Sequence, residues 1–164
     1  MNTNDILRRL RYAIDLSDTH MLDLFAKGGS DVSRAQFLAF LANEEDPAFQ
    51  DCSPVYLAQF LDGLILDKRG PRDPSKPAPP PANQNLSNND VLRKLRIALN
   101  LQQDQMLDVL KRGGAEVSPS ELSALFRKRT HKHYRACGDQ FLRKFLVGLT
   151  TVLRPDSVAP VEDA

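Results

Sequence analysis

Apolar residues recur at three- and four-residue intervals from the start of the chain. Ile6, Leu7, Leu10, Ala13 and Ile14 fall on one helical face and leave Arg8, Arg9 and Asp15 to solvent. Val91, Leu92, Leu95, Ala98 and Leu99 repeat that stripe later in the chain. A second helix is predicted through Met21, Leu22, Leu24 and Phe25, ending at Gly28-Gly29, and its later counterpart ends at Gly113-Gly114. A third helix has a strong start signal. Ser118-Pro119-Ser120-Glu121 supplies a hydroxyl cap, a proline at the first helical position and a carboxylate three residues on. Val117 and Leu122 sit where a hydrophobic staple needs them, and Val32, Ser33, Gln36 and Phe37 hold the same roles earlier. A fourth helix begins near Ser53-Pro54 or Gly138-Asp139, and a short fifth turn is expected near Phe49 or Tyr134. No segment sustains the period-two alternation of a strand. The prediction is an all-α protein.

These elements come in two sets. Offsetting the chain by 85 residues aligns 4–69 with 89–154 without a gap, and 23 of the 66 pairs are identical. That density is the mark of duplication. The predicted architecture is two homologous helical units of about four main helices, packed with pseudo-twofold symmetry because each alone is marginally small. The expected boundaries are 1–70 and 86–155, with a linker at 71–85 and a disordered tail at 156–164. Six prolines between Pro71 and Pro81 cannot continue a helix or a sheet ladder. They predict an extended spacer of roughly 35–50 Å. Gly63 and Gly148 interrupt the fourth helix of both units at about 1 kcal/mol each relative to alanine. That shared cost points to close helix–helix approach across the pseudo-twofold axis.

The pattern N-D-x-L-R-x-L-R-x-A-x-x-L at the start of both units, with HKHYRACGDQFLRKFLVGL in the second, resembles the bacterial YehS-like family, a tandem domain of unknown function. The resemblance implies a small bacterial cytoplasmic protein. It carries no reaction, cofactor or catalytic residue.

Candidate chemistry is sparse. His131, His133 and Cys137 form an H-x-H-x3-C cluster, but a structural zinc site needs four ligands and no second ligand pair accompanies them. No metal or cofactor is therefore expected. Cys52 and Cys137 hold equivalent positions and read as small buried hydrophobes. There is no nucleophile elbow and no phosphate-binding glycine loop, so a non-enzyme is expected. Arg8 and Arg11, with counterparts Arg93 and Arg96, read as structural cations that pin the first helix to Asp5 and Asp23 or to Asp90 and Asp108. With no apolar run near 18 residues, no membrane span is expected.

Charge changes the picture most. The chain's 22 Lys+Arg and 21 Asp+Glu give a formal net charge of +1, which argues against a surface that coats nucleic acid all over. That balance hides a partition. Residues 1–70 hold 7 basic and 11 acidic side chains, a net −4, whereas residues 86–155 hold 13 and 6, a net +7. The difference concentrates where unit one reads ANEEDPAFQD and unit two reads RKRTHKHYRA. The candidate contact surface is therefore Arg127, Lys128, Arg129, Lys132, His133, Tyr134 and Arg135, continued by Arg143 and Lys144. A protein partner, either internal or a second chain, is the reading adopted. The alternative is RNA or non-specific DNA, reached through phosphate contacts with an aromatic ring for stacking. Sequence-specific DNA reading is disfavoured. The GGAEVS connection is longer than a helix-turn-helix allows, and the following helix start offers no arginine.

Overall fold

A computed structural model describes residues 1–77 and 85–155, whose regular elements are all helices, with no strand among them. The first unit comprises α1 (Thr3–Ile14), α2 (Asp18–Lys27), α3 (Arg34–Leu41) and α4 (Pro54–Arg69). The second comprises α5 (Asn88–Ala98), α6 (Gln103–Arg112), α7 (Pro119–Ala124) and α8 (Asp139–Leu153). The tail from residue 156 and linker residues 78–84 lie outside the described residues.

Local chemistry explains the boundaries. Ser17, Ser33, Ser53, Ser87 and Ser118 cap α2, α3, α4, α5 and α7, each accepting a hydrogen bond from a backbone N–H three residues on. Ser118 and Glu121 close a full capping box. Its counterpart in α3 stays open, because Gln36 sends its amide to the Tyr56 hydroxyl instead (3.2 Å). The chain turns after α1 at Asp15 and after α5 at Asn100, with φ of 56° and 52°. Asp and Asn tolerate that left-handed conformation best after glycine. Where the short fifth turn is expected, each unit has two successive turns. Asn43 to Asp46 and Asp46 to Phe49 form them in the first unit, Lys128 to His131 and His131 to Tyr134 in the second.

Within each unit the second and fourth helices are antiparallel and unusually close. A Cβ added at Gly63 would overlap the Leu24 carbonyl, and one at Gly148 the Val109 carbonyl. Gly28 and Gly113 are pressed in the same way against the carbonyls of Gln59 and Lys144. The close approach inferred from Gly63 and Gly148 is therefore real, but it lies inside each unit and not across the symmetry axis. The physical reason is that two glycines per helix pair let backbone meet backbone along the α2–α4 and α6–α8 seams.

Between units the helices exchange partners. α4 packs chiefly on α2 and α5, and α8 chiefly on α6 and α1. Exchanging α1 with α5, α2 with α6 and α4 with α8 maps these principal contacts onto themselves, as a pseudo-twofold axis requires. Lys94 of α5 binds Asp62 of α4. On the other side, the Met1 ammonium binds Asp139 at the start of α8 (2.7 Å). At the far end of α8, Arg154 donates to the Tyr12 carbonyl (2.9 Å) and lies over the Tyr12 ring, 4.2 Å from its centroid. α1 and α8 are therefore parallel.

One apolar core joins both units. It includes Leu7, Leu10, Phe25, Phe37, Phe60 and Leu64 from the first, and Leu92, Leu95, Leu110, Phe145 and Leu149 from the second. The parallel packing also accounts for the linker's length. α5 lies beside α4 and, by the pseudo-symmetry, runs the same way. The chain leaving Arg69 must then travel back along the 16-residue α4, about 24 Å, before α5 can start.

Candidate functional site

The N-termini of α1, α4, α5 and α8 gather at one end of the molecule, and the two charged loops converge there. Asn4 is 1% exposed and Asn89 4%, each on the buried face of its unit's first helix. The Asn4 amide donates to the carbonyls of Phe40 (3.0 Å) and Gln50 (2.9 Å) and accepts from the Cys52 N–H (3.0 Å). Asn89 does the same with Leu125 (2.9 Å), Arg135 (2.9 Å) and Cys137 (2.8 Å). Each amide thus clamps both ends of the loop between the third and fourth helices. The Gln50 N–H donates to Ala39 and the Arg135 N–H to Ala124, both at 3.1 Å, which closes the two loops identically.

Adjacent residues at the chain start reach both loops. Asn2 donates to Glu44 of the acidic loop (3.1 Å), while Met1 binds Asp139, two residues past Cys137. Asn88 ties the same place from the second unit, donating to the Cys137 carbonyl (3.1 Å) and to Asp139 (2.8 Å). The Met1 ammonium first, and Asn88 second, hold the Asp139 carboxyl below its ordinary range.

The basic loop is mostly open to solvent. Lys128, Arg129, Lys132 and His133 are exposed, and Arg127 and Tyr134 are half-buried. Among the described residues, no ion pair joins Arg127, Lys128, Arg129 or Lys132 to a carboxylate. The acidic loop of the same chain does not neutralise them. Arg135 differs from its neighbours, bonding Glu121 (3.2 Å) and lying over the Phe141 ring (5.8 Å). Glu121 is held low mainly by the Ser118 backbone and hydroxyl, with Arg135 contributing. Arg143 and Lys144 are half-buried on α8. Arg143 lies near enough to help lower Asp139, and the Lys144 carbonyl is the one packed on Gly113.

The histidines and Cys137 do not converge. Among the described residues, no three His, Cys, Asp or Glu side chains form a metal-sized cluster. The His131 and His133 rings lie 5.6 Å apart, and His131 Nδ1 accepts from the His133 N–H (3.0 Å). Cys137 is 7% exposed and Cys52 3%. Burial pushes the thiols up to about 11 and about 12, so neither is a thiolate near neutrality.

The arginines of the first helices bind loop and helix groups close to hand. Arg8 pairs with Asp5 (2.8 Å) and donates to the Ala42 carbonyl (3.2 Å); Arg93 pairs with Asp90 (3.5 Å) and donates to Phe126 (3.3 Å). Arg11 pairs with Asp18 at 2.5 Å rather than with Asp23, which binds Lys27. Arg96 donates to the Leu101 carbonyl (3.2 Å) and stacks over Phe126 (4.7 Å), and Asp108 binds Arg112. Asp23 and Asp108 point along their own helices, where the i+4 cation is nearer. The sequence reading missed Asn4 and Asn89. Their signal was present: an amide identical in both copies, three residues before a core leucine on the apolar face.

A family model described as a protein of unknown function (DUF1456) matches residues 3–70 and again 88–154. The protein called uncharacterized protein YehS, from Escherichia coli strain K12, is 42% identical over 149 residues, which cover 91% of this chain and 94% of that protein. No solved structure matches. The chain belongs to the DUF1456 family, with two copies of its domain.

Proposed function

For this DUF1456 chain we propose a non-catalytic role as a binding or adaptor module that engages an acidic protein surface through residues 127–135. One observation carries the reading: four cations on a clamped loop have no carboxylate partner among the described residues. A loop held by Asn89 loses little conformational freedom on binding, so more of its charge interaction appears as affinity. Copy one keeps the same loop scaffold without the cations, which supports a specialised role for the second unit. No helix among the described residues is long and apolar enough to cross a membrane. The family resemblance supports a cytoplasmic setting.

The test is binding of poly-L-glutamate to the full chain, followed as a function of salt. Affinity should fall steeply with salt, and Arg127→Glu, Lys128→Glu and Arg129→Glu together should weaken it about tenfold or more. Unchanged affinity in that triple variant would remove the loop from the contact. A second reading rests on the His131–His133 ring pair and Tyr134, which place flat π surfaces among the cations, as single-stranded nucleic acid requires. Affinity for a mixed-sequence single-stranded oligonucleotide weaker than about 10⁻⁴ M at low salt would dismiss it.

A further inference from the structure

We propose that the acidic partner of the basic loop is the acidic loop of a second copy of this chain, in a closed, twofold dimer joined end to end. The inference rests on the protein-contact reading above and names its partner. Three observations combine.

First, the loops are complementary in charge. Glu44, Glu45, Asp46 and Asp51 are exposed on one, and Lys128, Arg129, Lys132 and Arg135 on the other. No ion pair links the two loops within the chain, and no described carboxylate of the acidic loop is ion-paired. Second, the loops share one scaffold. The same turns, the same asparagine clamp and the same closing hydrogen bond hold both, so each presents its charges in matching geometry. Third, both loops lie at the end where α1, α4, α5 and α8 begin. Asn2 touches one loop, and Met1 binds Asp139, two residues past the end of the other.

Symmetry does the rest. The pseudo-twofold axis relates the two loops within one molecule and runs roughly along the helices. Let a second molecule meet that end face by a true twofold axis lying in the face. One choice of axis sets acidic loop on acidic loop and basic on basic, which repels at both contacts. The perpendicular choice sets acidic on basic twice. Charge selects the second arrangement. Because each loop meets its opposite once, the assembly closes at two chains and leaves no free end to propagate. A single unit with one loop could not do this. The duplication, followed by opposite charge on the two copies, turns a repeated loop into a self-complementary surface.

The experiment is sedimentation equilibrium on the full chain and on charge-swapped variants. One variant carries Arg127→Glu, Lys128→Glu and Arg129→Glu, so both loops are acidic. The other carries Glu44→Lys, Glu45→Lys and Asp46→Lys, so both are basic. The wild-type chain should be a dimer at low salt whose dissociation constant rises about tenfold or more as salt approaches 1 M, where screening acts within about 3 Å. Each variant alone should be monomeric. An equimolar mixture of the two should recover a dimer, since each acidic loop again meets a basic one. All six changes in a single chain should also restore it. A wild-type monomer at low salt overturns the proposal, and so does a dimer that survives in both separate variants. If the wild type is monomeric while poly-L-glutamate still binds through residues 127–129, the second-copy assignment fails and the broader protein-contact reading stands. Poly-L-glutamate affinity left unchanged by Arg127→Glu, Lys128→Glu and Arg129→Glu, with dimerisation intact in both variants, defeats both.

Discussion

Residues 43–52 and 128–137 pass through the same pair of turns, are gripped by equivalent asparagines and end at equivalent buried cysteines. Yet one displays Glu44, Glu45 and Asp46 where the other displays Arg129, His131 and Lys128 in the same stretch. Backbone satisfaction and core packing were held while the solvent-facing side chains diverged. The comparison separates what the fold requires from what is free to vary. A buried amide with three hydrogen bonds cannot be replaced without orphaning its partners, whereas an exposed charge costs the fold almost nothing to reverse.

Three experiments press on that comparison. The largest effect should come from the backbone seams. Gly63→Ala and Gly148→Ala each push a methyl into a carbonyl of the neighbouring helix, with backbone on both sides and no flexible side chain to yield. Each should cost about 3 kcal/mol, the upper end for overpacking, despite alanine's better helix propensity. Gly138→Ala meets open space and serves as the control. Chemical denaturation reads all three. Equal costs at 63 and 148 mean the two units share one packing solution; a several-fold difference would break that equivalence.

Next come the clamps. Asn4→Ala and Asn89→Ala each strand two carbonyls and one N–H that are partly shielded from water. A loss of about 2 kcal/mol is expected for each, with faster amide exchange at Cys52 in the first variant and at Cys137 in the second. If only one loop loosens, the clamps are not equivalent despite their geometry.

The smallest effect is the asymmetric one. Asp139 binds the Met1 ammonium and Asn88, but the aligned residue of unit one is Pro54, which has no carboxyl. The lowered folded-state pKa of Asp139 means its stabilisation is fully present above the ordinary carboxylate value. It is lost as pH falls through the lowered value. The stability gap between wild type and Asp139→Asn should therefore be largest near neutrality and close below about pH 4. A gap that stays constant down to acid pH would remove the ion pair from the acid-sensitive part of the stability curve.

Much of this architecture was readable from residue order. The three- and four-residue stripes fixed which faces are buried, and Ser118-Pro119-Ser120-Glu121 marked the start of α7 to the residue. The cost shared by Gly63 and Gly148 correctly signalled close approach. Its location was misjudged, because a glycine shows that a neighbour is near but not which neighbour. Asp23 and Asp108 were offered as arginine partners for the same reason: sequence counts the charges within reach along one helix but not those that folding brings closer, such as Asp18 to Arg11. Asn4 and Asn89 escaped notice because a polar residue on an apolar face has no periodic signature of its own. What each does depends on a loop 36 to 48 positions away. The charge of residues 127–135 was plain in the sequence. That these side chains share an end of the molecule with Glu44, and are not neutralised by it, emerges only in three dimensions.

The parallel contact between the first and last helices bears on how the chain is made. Met1 meets Asp139 across 138 positions of sequence. During synthesis from the N-terminus, α1 leaves the ribosome well before its neighbour α8, so one flank of α1 stays uncovered until α8 has been made. Long-range pairing of this kind slows folding, because loop closure must precede the contacts that reward it. Folding of the first unit can begin early on the α2–α4 seam. It is completed by the arrival of the second.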